Sequence, residues 1–413
     1  GHPANIRRQQ QDNTNPQSAY RERPCNGDSM LMQFPTPYPD ELWYSIIARY
    51  HKRSGNPYWY MSIQELFDGR TNSHQISGFY PNETIIMAHI KFPNVIDLRK
   101  AVLESTLLPY LMRFYPKEKK IQAFEDFING VNTKPRLYRY TKHDKLRYCP
   151  LCRQEDIEKY GEPYWHTVHQ IELMPLCPIH RCRIREITTH KSLFSGRYTP
   201  MPEDDEPVFD CAHYEPALTD TLFAYYRMPF EASPNIESDN LARAMENAGL
   251  ISDMNIRYTK YDGAKLHKAL VDFYSPELIE QYFGTDIKMQ YASRLRNHIA
   301  RNPEQYALIA TMIGLEPELI FSNERIPLRV EERLRMLARL ASQGNVYSKQ
   351  QVSKIAGIPT YRLRAYTERF GLEPFWFDIE RSQLQGKSVY SGIRVSQEDA
   401  EILDEYMKEH FLE

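Results

Sequence analysis

Four of the six cysteines lie between residues 147 and 182, in two short-spaced groups. Cys149 and Cys152 are separated by two residues, Cys177 and His180 have the same spacing, and 24 residues lie between the pairs. Two ligands at this spacing can reach one ion from a tight turn, and two such turns close a tetrahedral site. The pattern therefore predicts one structural Zn²⁺ per chain, bound by three cysteines and one histidine.

The fourth ligand has a neighbouring alternative. Cys182 lies two residues past His180 and could replace it, although the matched spacing of the two pairs favours His180. His166 and His169, in the loop between the pairs, are interpreted as core or partner contacts. Because a filled Cys3His site has no open position for water or substrate, the ion is expected to hold the chain in shape.

Signatures of common catalytic sites are missing from the sequence. No His-x-Glu stands upstream of Cys149, as a zinc deaminase would need, and His-Glu-x-x-His is absent. Gly386-Lys387-Ser388 resembles the end of a phosphate-binding loop, but arginine stands where the first glycine of that loop would be. No Gly-x-Ser-x-Gly elbow occurs. The sequence therefore favours a binding protein without catalytic residues.

A second pattern, over residues 348–370, indicates nucleic-acid binding. A helix over 348–355, a turn around Gly357 and a second helix over 360–370 have helix-turn-helix spacing. The second helix of such motifs enters the major groove, and basic neighbours contact phosphates. The predicted contacts with double-stranded DNA are Thr360, Tyr361, Arg362, Arg364, Lys349, Lys354 and Arg369. The alternative is a helical hairpin with an ordinary solvated basic face.

Two further groups of basic residues are weaker candidates for DNA contact. They are Arg49, Lys52 and Arg53 in the helix pair over 40–68, and Arg294, Arg296 and Arg301 at a later helix end. The alternatives are a plain packing domain for the first group and a solvated helix for the second.

Helical periodicity dominates the chain, which has few alternating strand patterns and no repeat of fixed period, so the predicted fold is mainly α in several domains. Asp40 is expected to cap the first helix. The predicted segments are a disordered leader or expression-tag remnant over 1–30, an N-terminal helix-turn-helix domain over 31–140, a zinc-finger domain over 141–190, a connector over 191–236, a helical domain over 237–340 and a C-terminal helix-turn-helix domain over 341–413.

Length and charge bound the class of protein. The 413 residues can form about two to four domains, and no apolar run approaches the roughly 20 residues of a membrane span. A net charge of −2 means that any DNA contact must come from local basic surfaces. Clustered cysteines are typical of a metal site in a reducing compartment, so a cytoplasmic location is expected.

Four short motifs, in their order along the chain, resemble the TniQ family of transposon target-selection proteins, and later segments within residues 240–320 are similar to its TnsD branch. The motifs are Pro35–Glu41, Arg147–Cys152, Tyr160–Trp165 and Cys177–His180. The resemblance implies a non-catalytic protein that marks a DNA site. It also implies recruitment of an AAA+ ATPase regulator and, through it, of the transposase.

A related branch of the family offers an alternative role. Its members are dimeric adaptors on an RNA-guided CRISPR surveillance complex, so a CRISPR effector and a homodimer are alternative partners. Those adaptors commonly carry a second cysteine cluster. Only Cys182 and Cys211 follow the first cluster here, which favours the TnsD branch.

Overall fold

The computed structural model describes residues 34–67, 79–131, 145–188, 199–203, 205–255, 258–261, 263–287 and 302–377. Within these residues the chain is mainly helical and its strands form short two-stranded pairs, which confirms the prediction of a mainly α fold. No helix in this part of the chain is long and apolar enough to span a membrane. The predicted leader and the predicted C-terminal helix after residue 396 lie outside the described residues.

Six helices precede the cysteine region in the part of the chain that the structure describes. They are α1 (Trp43–Ser54), α2 (Trp59–Phe67), α3 (Glu83–Lys91), α4 (Leu98–Glu104), α5 (Leu108–Leu111) and α6 (Lys117–Ile128). α1 ends at Gly55, whose φ of 71° lies in the left-handed region where a side chain would be strained. α1, the turn over 55–58 and α2 therefore follow one another as helix, turn and helix.

The predicted cap of α1 is wrong. Asp40 has a φ of 57° and lies before the N-cap position, which Leu42 occupies without a side-chain hydrogen bond. The Leu42 N–H donates to the Trp165 carbonyl at 2.8 Å, and the Trp43 N–H donates to the Ser105 carbonyl at 2.9 Å. Hydrogen bonds to distant segments therefore set the start of α1, where a local capping rule would place a side chain.

A strand pair brings the two cysteine groups together. β1 (Lys145–Tyr148) and β2 (Arg185–Thr188) pair antiparallel. α7 (Pro150–Tyr160) begins directly after Cys149, which follows β1. Because the second cysteine group lies just before β2, the pairing of the strands places it beside the first.

α8 (Glu215–Arg227) corrects the prediction of a connector over residues 191–236. Leu218, Leu222 and Tyr225 on this helix are buried in the main core. The prolines and acidic residues before the helix gave the whole stretch the composition of a loop, although apolar residues at helical spacing follow them.

One continuous hydrophobic core runs from Phe34 to Ile320 and includes the buried cysteines. The later elements in this range are α9 (Asn240–Asn247), β3 (Ile251–Asn255), β4 (Tyr258–Tyr261), α10 (Gly263–Phe273), α11 (Pro276–Phe283) and α12 (Pro303–Met312). The N-terminal helices, the cysteine region and α8 to α12 therefore share one core.

A second, smaller hydrophobic cluster lies in residues 329–377. Its elements are α13 (Arg329–Ser342), β5 (Tyr347–Ser348), α14 (Lys349–Ala356), α15 (Leu363–Arg369) and β6 (Trp376–Phe377). Ser348 and Gln351 cap α14 reciprocally, and Gly357 ends it with a φ of 72°. The predicted helix, turn and helix over 348–370 are therefore present, with a 3-10 turn over Thr360–Arg362 leading into α15.

Candidate metal centre and candidate nucleic-acid interface

The structure brings the four predicted metal ligands together. The ligand atoms of Cys149, Cys152, Cys177 and His180 all lie within 4.8 Å of one another. The Nδ1 of His180 is 3.5, 3.3 and 3.6 Å from the three sulfurs in chain order, and the sulfurs of Cys152 and Cys177 are 3.6 Å apart. Metal–sulfur bonds of about 2.3 Å would place the corners of one tetrahedron about 3.5–3.8 Å apart. These donors therefore fit a single metal ion.

The backbone of each turn supports its own pair of ligands. The Cys152 N–H donates to the Cys149 sulfur, and the His180 N–H donates to the Cys177 sulfur, both at 3.4 Å. Amide donors that point at sulfur stabilise the thiolate, which is the form that binds a metal. Both turns are therefore arranged to hold thiolates.

The three cysteines are almost completely buried. Hydrogen bonds from Cys149 and Cys152 lower the pKa of the Cys177 thiol, whereas hydrogen bonding to its two neighbouring sulfurs raises the pKa of the Cys152 thiol. A divalent ion would stabilise all three thiolates and displace the remaining protons, so metal binding would be coupled to proton release and to folding.

A carboxylate orients the histidine of the cluster. The Nε2 of His180 is 3.0 Å from a carboxylate oxygen of Glu155, on α7. Burial lowers the pKa of this imidazole, but hydrogen bonds to Glu155 and Cys177 outweigh burial and raise it. A carboxylate behind a ligating histidine fixes the ring so that its other nitrogen faces the metal position.

Two further donors border the cluster. The Cys182 sulfur is 3.3 Å from the Cys149 sulfur, and the Nε2 of His169 is 3.8 Å from Cys152 and 3.7 Å from Cys177. Neither belongs to the group whose ligand atoms all lie within 4.8 Å of one another. The geometry therefore favours His180 as the fourth ligand.

His166 lies between two carboxylates and joins the segment before α1 to the cysteine region. Its Nε2 is 3.0 Å from Asp156 and its Nδ1 is 3.5 Å from Asp40. Tyr226 of α8 donates to the other oxygen of Asp40, and the Thr167 N–H donates to the Asp40 carbonyl at 2.7 Å. Burial lowers the pKa of His166, but the two carboxylates outweigh burial and raise it to about 9. The ring is therefore cationic at neutral pH.

Arg49 is corrected from a phosphate contact to a buried structural residue. Its guanidinium bonds Glu41 at 2.7 Å and Glu162 at 2.8 Å. Arg53 also pairs with Glu162 but stays 44% exposed, and Lys52 is exposed. Because two carboxylates already surround it in the interior, Arg49 is not available to phosphate, and Lys52 and Arg53 are the basic surface of this helix end.

The hairpin of α14 and α15 presents some of its predicted DNA contacts to solvent. Tyr361 is 74% exposed, and the exposed Arg364 pairs with Glu368 one turn later at 3.2 Å. Arg369 instead pairs with Glu246 of α9 at 3.1 Å. Of the other predicted contacts, Lys354 is exposed, whereas Thr360, Arg362 and Lys349 are partly buried. Arg294, Arg296 and Arg301 lie outside the described residues.

Nothing in the local sequence predicts the polar residues that connect the four motifs. The Gln170 side chain bonds the N–H and the carbonyl of Arg147 at 3.1 and 2.8 Å, and Arg147 donates to the Met174 carbonyl at 2.8 Å. These contacts fix the chain just before Cys177. The bonded residues lie 23 or more positions apart in the sequence, so no local pattern predicts these hydrogen bonds. The one hint in the sequence is that Arg147 is the first residue of one of the motifs.

Comparison with known proteins places these features in a family. Residues 32–184, which contain both ligand pairs, match the family model TniQ. Over 252 residues the chain is 25% identical to transposon Tn7 transposition protein TnsD of Escherichia coli. The alignment covers 55% of this chain and 47% of TnsD. The chain therefore spans about half the length of this curated relative. The chain therefore carries a TniQ family region over residues 32–184 and is similar to TnsD over part of its length.

Proposed function

We propose that this chain is a non-catalytic target selector for transposition, which binds double-stranded DNA and recruits an AAA+ ATPase regulator and, through it, the transposase. The observation that carries the proposal is the TniQ match over residues 32–184, which include the four residues of the Cys3His cluster. Because the matched relative is a transposition protein, the same process is proposed here. A cytoplasmic location, at the host DNA, is part of the proposal.

The metal in this proposal is one structural Zn²⁺ per chain. Three thiolates and one imidazole are a donor set that zinc prefers, and together they leave no open position for substrate. The bound ion would contribute its binding energy to folding. The Cys3His cluster would thus keep the motifs assembled while other surfaces contact DNA.

The proposed DNA interface is the hairpin of α14 and α15. Tyr361 and Arg364 are exposed at the start of the second helix, where helix-turn-helix proteins contact base edges. Lys354 is exposed on the first helix and suits a phosphate contact. Arg369 is expected to position the hairpin through Glu246. Thr360, Arg362 and Lys349 are proposed to support these contacts.

A second DNA contact is proposed at the hairpin of α1 and α2. Lys52 and Arg53 end α1, and the exposed rings of Tyr58 and Tyr60, at the start of α2, stack 5.7 Å apart. Cationic and aromatic side chains together suit the sugar-phosphate backbone and groove walls.

Footprinting of the purified chain on host DNA that flanks insertions, with and without the ATPase, tests the proposal. A discrete footprint from the chain alone, extended when the ATPase is added, is the expected result. Protection that requires a guide RNA complex would instead support the adaptor role, and light scattering of that complex would test for the homodimer.

A charge variant tests the hairpin directly. Arg364→Ala should weaken DNA binding about tenfold in a gel-shift titration, because one contact to a base or phosphate is lost. Lys268→Ala is the matched control. It removes one exposed positive charge from α10, a helix that packs in the main core and not in the hairpin. Equal binding by both variants would rule out this hairpin as the interface.

A further inference from the structure

The metal centre has more donors than one tetrahedral ion can use. Cys182 is fully buried, and its sulfur is 3.3 Å from that of Cys149, so the two sulfurs are in direct contact. The described cluster of Cys149, Cys152, Cys177 and His180 is already complete without it. A buried thiol in contact with a ligand sulfur is itself a potential ligand.

The four ligands differ in their access to solvent. The cysteine ligands are at most 3% exposed, whereas the His180 side chain is 13% exposed and its partner Glu155 is 65% exposed. Ile179, beside His180 in the chain, is 65% exposed. His180 is therefore the ligand that a contact at the molecular surface can reach.

The backbone keeps Cys182 beside the cluster independently of His180. The Cys177 N–H donates to the Cys182 carbonyl at 2.8 Å, and Leu176 and Arg183 form an antiparallel bridge next to this contact. Cys177 and Cys182 thus close the base of a turn whose tip is residues 178–181. If the tip were displaced, this base would still hold the Cys182 sulfur beside the cluster.

We propose that Cys182 replaces His180 as fourth ligand when the tip of this turn is displaced, so that the metal centre exchanges one ligand without losing its ion. The proposal rests on the zinc site proposed above. In the exchange the Cys182 thiol releases its proton to solvent, and its sulfur takes the position that the His180 nitrogen leaves.

The exchange would connect the buried centre to the surface around the tip. Arg181, at the tip, has a φ of 58° and pairs with Asp220 of α8 at 2.6 Å, and His180 pairs with Glu155. A protein partner that binds these charged groups would draw His180 outward. The core would stay folded because Cys182 completes the tetrahedron.

Cobalt-substituted full-length protein tests the exchange, because thiolate-to-cobalt absorption reports the number of sulfur ligands. Wild type and Cys182→Ser should each hold one Co²⁺ with a three-thiolate spectrum. His180→Ala should still hold one Co²⁺, with this absorption raised by about one third because four thiolates replace three. The double variant His180→Ala with Cys182→Ser should lose most of its cobalt.

The outcomes separate this proposal from the metal site itself. Wild type without any bound metal would overturn the zinc site, whereas wild type with metal and a folded His180→Ala without it would overturn the exchange alone. Metal that remains bound in the double variant would also overturn the exchange, because another donor such as His169 would then complete the site.

A second measurement applies if His180→Ala does not fold. Transfer of the ion from folded protein to a chelator should be about tenfold faster in Cys182→Ser than in wild type, because the reserve ligand is missing. Cys211→Ser is the matched control, since Cys211 is an exposed cysteine away from the cluster. Equal rates in Cys182→Ser and wild type would overturn the proposal.

Discussion

The charge of His166 depends on two carboxylates from different parts of the chain. Asp40 precedes α1 and Asp156 lies on α7; burial lowers the pKa of His166, but the two carboxylates outweigh it and raise the pKa from its ordinary 6.5 to about 9. A histidine with a raised pKa stabilises the fold fully below pH 6.5, and this stabilisation is lost as pH rises through 9. The shift corresponds to about 3 kcal/mol, as an order of magnitude.

His166→Gln should therefore remove a pH-dependent part of the stability. Urea unfolding at pH 6, 7.5 and 9.5 is the measurement, and the difference between wild type and variant should shrink by about 3 kcal/mol from pH 6 to 9.5. His213→Gln makes the same chemical change at an exposed position and serves as control. A difference that is constant across this range would show that the ion pair does not form.

At the residue scale, local patterns could be predicted and long-range ones could not. Cys149 with Cys152, and Cys177 with His180, each approach one point from a single turn, so their spacing carries the information. Aspartate often caps helices, so Asp40 was predicted to do so, but its partner His166 is 126 positions later in the sequence. Folding of the whole region decides such a pair.

At the element scale, the end of α8 depends on one buried cation. The Arg113 guanidinium donates to the carbonyls of Tyr225, Met228 and Pro229 at 2.8, 2.7 and 2.7 Å. Burial lowers the pKa of Arg113 to about 10, so it is cationic at neutral pH. A cation at a helix C-terminus satisfies carbonyls that have no partner within the helix and interacts favourably with the helix dipole.

Arg113→Met should lower the free energy of unfolding by about 3–5 kcal/mol, because several buried carbonyls lose their donor. Urea denaturation followed by circular dichroism measures it. Arg113→Lys keeps the charge with fewer donors and should lose less. Lys268→Met makes a similar change at an exposed site and should stay within about 0.5 kcal/mol of wild type. If Arg113→Met also changed the free energy of unfolding by only about 0.5 kcal/mol, Arg113 would not have the role assigned to it.

The same helix shows why some elements escaped prediction. α14 has a capping box and a glycine stop, so local signals place it correctly. α8 follows a proline-rich acidic stretch and has no side-chain cap at Tyr214, so Glu215 and Pro216 in its first turn continue the composition of the preceding loop. Its place in the main core and its contact with Arg113 define it, and neither is local.

At the scale of the whole molecule, two hydrophobic clusters are joined by polar contacts. Arg369 pairs with Glu246 at 3.1 Å, and Arg243 pairs with Glu331 at 3.5 Å. The Asn247 side chain donates to the Pro327 carbonyl at 2.9 Å. α9 thus carries polar contacts to α15, to α13 and to the segment before α13, whereas the candidate metal centre belongs to the main core. Stability at the two places should therefore respond differently to the metal.

Removal of the metal should loosen the main core while the hairpin stays protected. Hydrogen exchange followed by mass spectrometry, before and after chelation, should show faster exchange in β1, α7 and β2, because the binding energy of the proposed ion would be part of their folding energy. Exchange in α13 to α15 should change little, because their buried side chains form a cluster of their own. Cys149→Ala should reproduce the effect, with exposed Cys211→Ala as control. Equal acceleration throughout the described residues would mean that the two clusters unfold as one unit and that the proposed DNA-binding hairpin depends on the metal.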